Sequence, residues 1–171
     1  MTTTRANPKF KRHRRIKGEN KKIKNATKLE SDGLKFRSHL EAYCYKKLKE
    51  EGIYDFQYEQ HKFVLQEAFT FSNNSLELYE KTENGKKVKN FGEVTSNIRA
   101  ITYTPDFVMI RPDKTGYIIE TKGFRTDQFT LKWKMFKKYL EINGYRISLY
   151  APNNQANVNR CVQAIKARYY L

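Results

Sequence analysis

The sequence is short of several things, and each shortage narrows what the protein can be. It has two cysteines, Cys44 and Cys161, far apart and in no Cys-x-x-Cys or Cys/His cluster. That spacing supports neither a disulfide framework nor a zinc site. Both fall on apolar stripes of predicted helices, where a free thiol packs as a small hydrophobe. No run of about 18 or more apolar residues occurs, so no membrane-spanning helix is expected. The first residues lack the apolar stretch of a signal peptide. A soluble, intracellular protein follows from these absences. Acidic residues are also scarce, 18 against 34 Lys and Arg, for a net charge of +16. Such an imbalance speaks of partners rather than fold. A basic surface collects polyanions by releasing the counterions condensed on phosphates, so nucleic acid is the first reading and an anionic membrane surface the second.

Hydrophobic residues make up only 39%, yet 12 Tyr and 11 Phe are present. Disordered chains lack such large apolar side chains, so a folded domain with a polar extension is expected. The length, 171 residues, suits one domain with its own core. The charge is placed unevenly. Residues 1–28 hold eleven Lys and Arg against Glu19 alone, a net of +10, and the other 143 residues carry +6. Residues 1–28 therefore read as a flexible basic arm, in which Arg12, Arg14 and Arg15 are candidates for phosphate contact. Residues 29–171 read as the folded domain. No internal repeat is evident.

Periodicity places a helix over 38–51, with Leu40, Tyr43, Cys44 and Leu48 on one stripe and Gly52 at its end. Two extended pieces follow at 54–58 and 62–65. Residues 66–97 look like an insertion, in which 76–79 and 86–88 flank an Asn84-Gly85 turn, a hairpin signal. Residues 98–110 read as strand interrupted by Pro105, and 117–122 as a second strand. A helix over 126–142 buries Phe129, Trp133, Phe136 and Leu140. A strand at 146–150 and a helix over 157–169 complete the chain. This order predicts an α/β sandwich, helices flanking a mixed central β-sheet.

The chemistry concentrates in TPDFVMIRPDKTGYIIETKGF, residues 104–124. Side chains alternate along a strand, so Glu120 and Lys122 project from the same face. If the two strands form a hairpin, Asp106 reaches Glu120. Neighbouring carboxylates resist ionising together. A divalent cation resolves the conflict, because Mg²⁺ takes hard oxygen ligands, commonly one or two carboxylates plus phosphate oxygens. A lysine two residues on can neutralise developing charge or orient a water. This is equipment for phosphodiester hydrolysis.

Pro105-Asp106 followed by Glu120-Thr121-Lys122 resembles the signature of the PD-(D/E)XK nuclease superfamily. Phe36, Ser38 and Glu41 in FRSHLEAYCYKKLKE resemble the first helix of a phage-encoded subfamily, and ITYTPDF with ETKGFRTDQFTLKWKMF is similar to the same subfamily and to phage junction-resolving endonucleases. The likeness covers about residues 29–150, broken by the insertion near 66–97. It implies a restriction-endonuclease-like core, with Asp106, Glu120 and the Thr121 carbonyl binding Mg²⁺ or Mn²⁺. It further implies that Lys122 is catalytic and that an acid on the first helix, Glu41, assists. A DNA endonuclease acting on branched DNA such as Holliday junctions is the implied activity, in phage recombination or genome processing within the infected bacterial cytoplasm, and a homodimer the implied assembly.

Other readings stay open beside this one. Ser38-x-x-Glu41 is also a capping box, and one side chain is not expected to cap the helix and serve the site together. Arg125 and Lys132 are candidates for DNA phosphate contact, while Lys134, Lys137 and Lys138 read as a solvated face. Thr126-Asp127 caps a helix, and Asp113 belongs to a turn. Gln128 packs near the site in some relatives that the sequence resembles. His13, His39 and His61 do not form a His-based nuclease site. The rival function is a non-catalytic basic DNA-binding or packaging protein.

Overall fold

The computed structural model describes residues 29–94 and 96–171, so the basic arm with Arg12, Arg14 and Arg15 lies outside the described residues. In chain order the elements are β1 (Leu29–Ser31), β2 (Leu34–Phe36), α1 (His39–Glu50), β3 (Gln57–Tyr58), β4 (Phe63–Gln66), β5 (Phe69–Phe71), β6 (Leu76–Glu83) and β7 (Lys86–Glu93). Then come β8 (Ser96–Ile98), β9 (Ile101–Tyr103), β10 (Phe107–Ile110), β11 (Thr115–Ile119), α2 (Asp127–Ile142), β12 (Arg146–Tyr150) and α3 (Gln155–Tyr169). The fold is α/β, as expected. No helix among the described residues is long and apolar enough to cross a membrane.

The central sheet runs β12-β11-β10-β3. β11 pairs antiparallel with β10 and parallel with β12, and β10 pairs antiparallel with β3, so the sheet is mixed. Period-2 alternation divides its side chains between two cores. Phe107, Met109, Tyr117 and Ile119 face Cys44 and Leu48 of α1 and Val158, Val162 and Ile165 of α3. Val108 and Ile118 face Phe129, Trp133, Phe136 and Leu140 of α2. β10 and β11 are near-continuous apolar runs because both of their faces are covered.

The β10–β11 hairpin turns where expected. Asp113 Oδ1 accepts from the Thr115 amide at 3.0 Å and the Thr115 hydroxyl at 2.6 Å, an Asx turn, which is the structural role read for Asp113. Gly116 follows with φ +150, and a Cβ there would lie 2.0 Å from the Met109 carbonyl oxygen. Only glycine allows the two strands to close at this point. The first strand divides where Pro105 was expected to interrupt it, and the second ends early. The expected strand over 98–110 is two, β9 and β10, because Pro105 cannot donate to a ladder. The strand expected over 117–122 stops at Ile119, although amides from Glu120 to Tyr150 O at 2.9 Å and Lys122 to Pro152 O at 3.0 Å extend its path along β12.

The insertion is more regular than its sequence suggests. β6 and β7 pair over eight residues each across the Asn84-Gly85 turn, and β5 and β8 pair at the base. Asn84 and Gly85 both have positive φ, as a tight two-residue hairpin turn requires.

Candidate metal centre

Four acidic side chains gather where α1, β3, β10 and β11 end. Asp106 immediately precedes β10 and is buried, with Oδ2 accepting from the Thr121 amide at 2.7 Å and the Thr121 hydroxyl at 2.6 Å. These bonds hold the end of β10 to the segment leaving β11. Thr121, read as a carbonyl ligand, therefore also orients Asp106 through its donors. Glu120 is buried on the α2 side, one step of alternation beyond Ile118. Lys122 lies two residues further, its Nζ 3.8 Å from Glu120 Oε1 and 5.5 Å from the centre of the Phe129 ring. The expectation that Glu120 and Lys122 share a face holds.

Glu41 sits in the first turn of α1, where the helix dipole favours a carboxylate. Its Oε2 accepts from the Arg37 amide at 2.9 Å and from the Tyr58 hydroxyl at 2.7 Å, and its Oε1 from the Ser38 hydroxyl at 2.8 Å. Ser38 in turn accepts from the Glu41 amide at 3.2 Å. The reciprocal cap is thus present, with Glu41 reaching one residue beyond the N-cap. The same carboxylate that completes the cap also meets Asp106. Oxygen atoms of Glu41, Glu59 and Asp106 all lie within 4.8 Å of one another. Tyr58 is fixed by rings of Phe36 and Phe107, at 5.0 and 5.2 Å, so Glu41 is held from a packed core.

Glu59 was missed. It follows β3 as Glu120 follows β11, an acid directly after a buried aromatic or aliphatic strand end, and that parallel is the signal available in the sequence. Its backbone is left-handed at φ +49, and its amide donates to the Asp106 carbonyl at 2.9 Å. Arg37 pairs with its carboxylate at 3.0 Å.

Burial and mutual repulsion raise the affinity of these groups for protons. Burial, then the charges of Glu41 and Glu59, push Asp106 up against the opposing Thr121 bonds. Burial, then Asp106, push Glu120 well above the usual carboxylate range, with Lys122 opposing. Glu59 is raised by burial, partly offset by Arg37. The Tyr103 hydroxyl lies beside Glu120, and each shifts the other's titration. Even so, Tyr103 Oη and Glu120 Oε2 are both buried with no hydrogen-bond partner among the described residues. Native interiors rarely leave such atoms unsatisfied. An all-oxygen set with an unpaired buried carboxylate atom fits a hard divalent cation such as Mg²⁺ or Mn²⁺, and offers none of the Cys or His donors that zinc prefers.

On the α2 side a cleft of about 300 Å³ is lined by Tyr103, Glu120, Lys122, Gln128, Phe129 and Lys132, among others. Lys132 Nζ is 3.4 Å from the Thr102 carbonyl, and so stands at the cleft wall rather than on the open helix face. Gln128 is brought to the same wall. Arg125 donates to the Ala151 carbonyl at 3.2 Å, beside the cleft but outside its lining. Thr126 is the N-cap of α2 and Asp127 its first residue, as their sequence suggests.

A family model described as "Protein of unknown function (DUF1064)" matches residues 20–151, a span that includes every acidic residue of this site. No curated protein and no solved structure matches the chain.

Proposed function

Because the chain belongs to the family described as "Protein of unknown function (DUF1064)", whose description carries no activity, we propose a function from the site itself: a metal-dependent endonuclease that hydrolyses DNA phosphodiester bonds. The observation that carries this reading is the buried Asp106 and Glu120 pair, with Glu120 Oε2 unsatisfied and Lys122 alongside. Asp106, Glu120 and the Thr121 carbonyl would hold one divalent cation, Mg²⁺ or Mn²⁺. Glu41 and Glu59 offer oxygens to the same ion or to a second one through Asp106. When bound, the cation supplies a nucleophile at neutral pH and offsets charge growing on the phosphate.

The remaining work falls to the chain's own side chains. Lys122, held between Glu120 and the Phe129 ring, keeps an ammonium where a phosphate oxygen or an attacking water is placed. Lys132 and Arg125 receive the neighbouring phosphates of the strand. Residues 1–28, with Arg12, Arg14 and Arg15, add sequence-independent attraction to the polyanion. Branched DNA, a four-way junction in particular, is the substrate that the resemblance of the 104–124 motif favours. The rival, a basic protein that binds or packages DNA without cutting it, is favoured by the charge alone.

The test is a cleavage assay on labelled linear, single-stranded, flap and four-way-junction DNA, with Mg²⁺, with Mn²⁺ and with chelator, beside Glu120→Ala. Cutting that needs the metal and disappears in the variant is the expected result. Tight binding to every DNA with no cutting under either metal would transfer the reading to the rival.

A further inference from the structure

β6 and β7 share no sheet with any other described strand, and every residue of β6 is exposed. A lone two-stranded ribbon buries little and is only marginally stable in water. This one nevertheless carries large apolar side chains. The register sets Leu78 opposite Phe91 and Leu76 opposite Glu93, so Leu76, Leu78 and Phe91 share one face. They are 64%, 65% and 71% exposed. A contiguous apolar patch at that exposure marks an interaction surface.

Charge identifies the occupant. Residues 76–93 contain four Glu (77, 80, 83 and 93) and four Lys (81, 86, 87 and 89), a net of zero within a chain of +16. The ribbon therefore adds no net attraction to DNA. Two copies of so basic a chain repel over most of their surface, and a neutral patch is where they meet at least cost. The charges are also segregated. On the face that holds the apolar patch β6 carries Glu80, a net of −1, while Glu77, Lys81 and Glu83 project from the opposite face. On the patch face β7 carries Lys87 and Lys89 against Glu93, a net of +1. Two ribbons stacked face to face about a two-fold along their length place β6 over β7 of the other copy, acid over base. A two-fold running across the ribbons would place β6 over β6.

We propose that the β6–β7 ribbon is a dimerisation arm. Leu76, Leu78 and Phe91 pack on the same face of a second copy, the ribbons lie parallel, and Glu80 of each copy faces Lys89 of the other. Eight residues per strand give a face roughly 27 Å long. Covering it buries on the order of 500 Å² per copy, below the usual size of a specific interface, so dissociation in the micromolar range is expected. The inference does not depend on the nuclease reading, because its test uses neither metal nor DNA.

Sedimentation of the full chain from about 1 to about 100 µM brackets that range. The expected result is a rise from the 20.4 kDa monomer toward twice that mass. Leu78→Glu with Phe91→Lys replaces the apolar pair by a cross-strand ion pair, so the ribbon keeps its pairing and its neutrality while losing the patch. That variant is expected to stay monomeric with an unchanged circular dichroism spectrum. A second pair of proteins tests the orientation: one with Lys89→Glu, the other with Glu80→Lys, the two charges that the parallel stacking sets over each other. Each alone is expected to dimerise more weakly than the wild type, and the mixture to regain the association as a heterodimer. A wild type that stays monomeric throughout, a Leu78/Phe91 variant that still dimerises, or a mixture that does not regain the association overturns the proposal. Loss of DNA affinity on changing Leu78 and Phe91 in a monomeric wild type would assign the ribbon to DNA instead.

Discussion

Glu120→Gln separates the two demands placed on Glu120, since the amide keeps the shape and removes the charge. Without a divalent cation, the wild type must either ionise Glu120 and Asp106 side by side or keep a proton on the pair. The folded pKa of Glu120 is raised, chiefly by burial and then by Asp106, and that of Asp106 is raised by burial and then by Glu41 and Glu59. For a carboxylate with a raised folded pKa, the folded state binds more protons than the unfolded state between the two values. Stability contributed in this way is fully present below the unfolded pKa, near 4.5, and is lost as pH rises through the folded value. Each pKa unit corresponds to about 1.4 kcal/mol. The pair titrates as a unit, so part of the cost remains on Asp106. Losing the half-exposed Lys122 ion pair subtracts less than about 1 kcal/mol.

At pH 8.5 in chelator the variant is therefore expected to be more stable than the wild type by about 1–3 kcal/mol. In a chain of this size that is a rise of roughly 3–10 °C in Tm. At pH 4.5, where the wild-type group is protonated, the gain disappears. Mn²⁺ at about 100 times its Kd adds about 2.7 kcal/mol to the wild type, roughly 5–10 °C, and little to the variant. The gap between the two melting temperatures thus closes or reverses on adding the ion. Thermal melts of both proteins at the two pH values, with Mn²⁺ and with chelator, read this out. A variant that melts below the wild type in chelator at pH 8.5, or that gains as much from Mn²⁺, would refute the reasoning.

Glu59→Gln is expected to weaken Mn²⁺ binding roughly tenfold in a calorimetric titration, the scale seen when a supporting carboxylate is lost; an unchanged Kd would remove Glu59 from the site. Tyr103→Phe deletes a buried hydroxyl that has no partner, so urea denaturation in chelator should move by less than about 1 kcal/mol while metal-dependent cleavage falls. A loss of several kcal/mol would reveal a hydrogen bond to the hydroxyl. Gly116→Ala drives a Cβ into the Met109 carbonyl and should destabilise by about 3 kcal/mol or more, the range of severe steric replacements. A change below about 1 kcal/mol would mean that β10 and β11 part without cost.

Much of the architecture was legible in residue order. The apolar stripe of 126–142, the Asn84-Gly85 turn and the acid after Ile119 are local signals, set by helix period, turn conformation and strand alternation. Glu120 and Lys122 could be placed on one face for that reason, and Asp106 could be paired with Glu120 because the turn between their strands is short. Glu59 carried only a faint signal, an acid after a strand end, because between two short extended pieces it has no periodic context. It acquires meaning only when β3 pairs with β10 and the Glu59 amide meets the Asp106 carbonyl. The same holds for Glu41, whose cap is written in Ser38-x-x-Glu41 but whose approach to Asp106 depends on α1 packing on the sheet 65 residues away in sequence. Local chemistry was thus determined by sequence: which residues alternate, turn, cap and carry charge. Only the tertiary structure decided which carboxylates are neighbours, which of their oxygens remain unsatisfied, and that the apolar face of the β6–β7 ribbon is left to solvent. Those properties arise from distances and burial between segments remote along the chain, which no local pattern encodes.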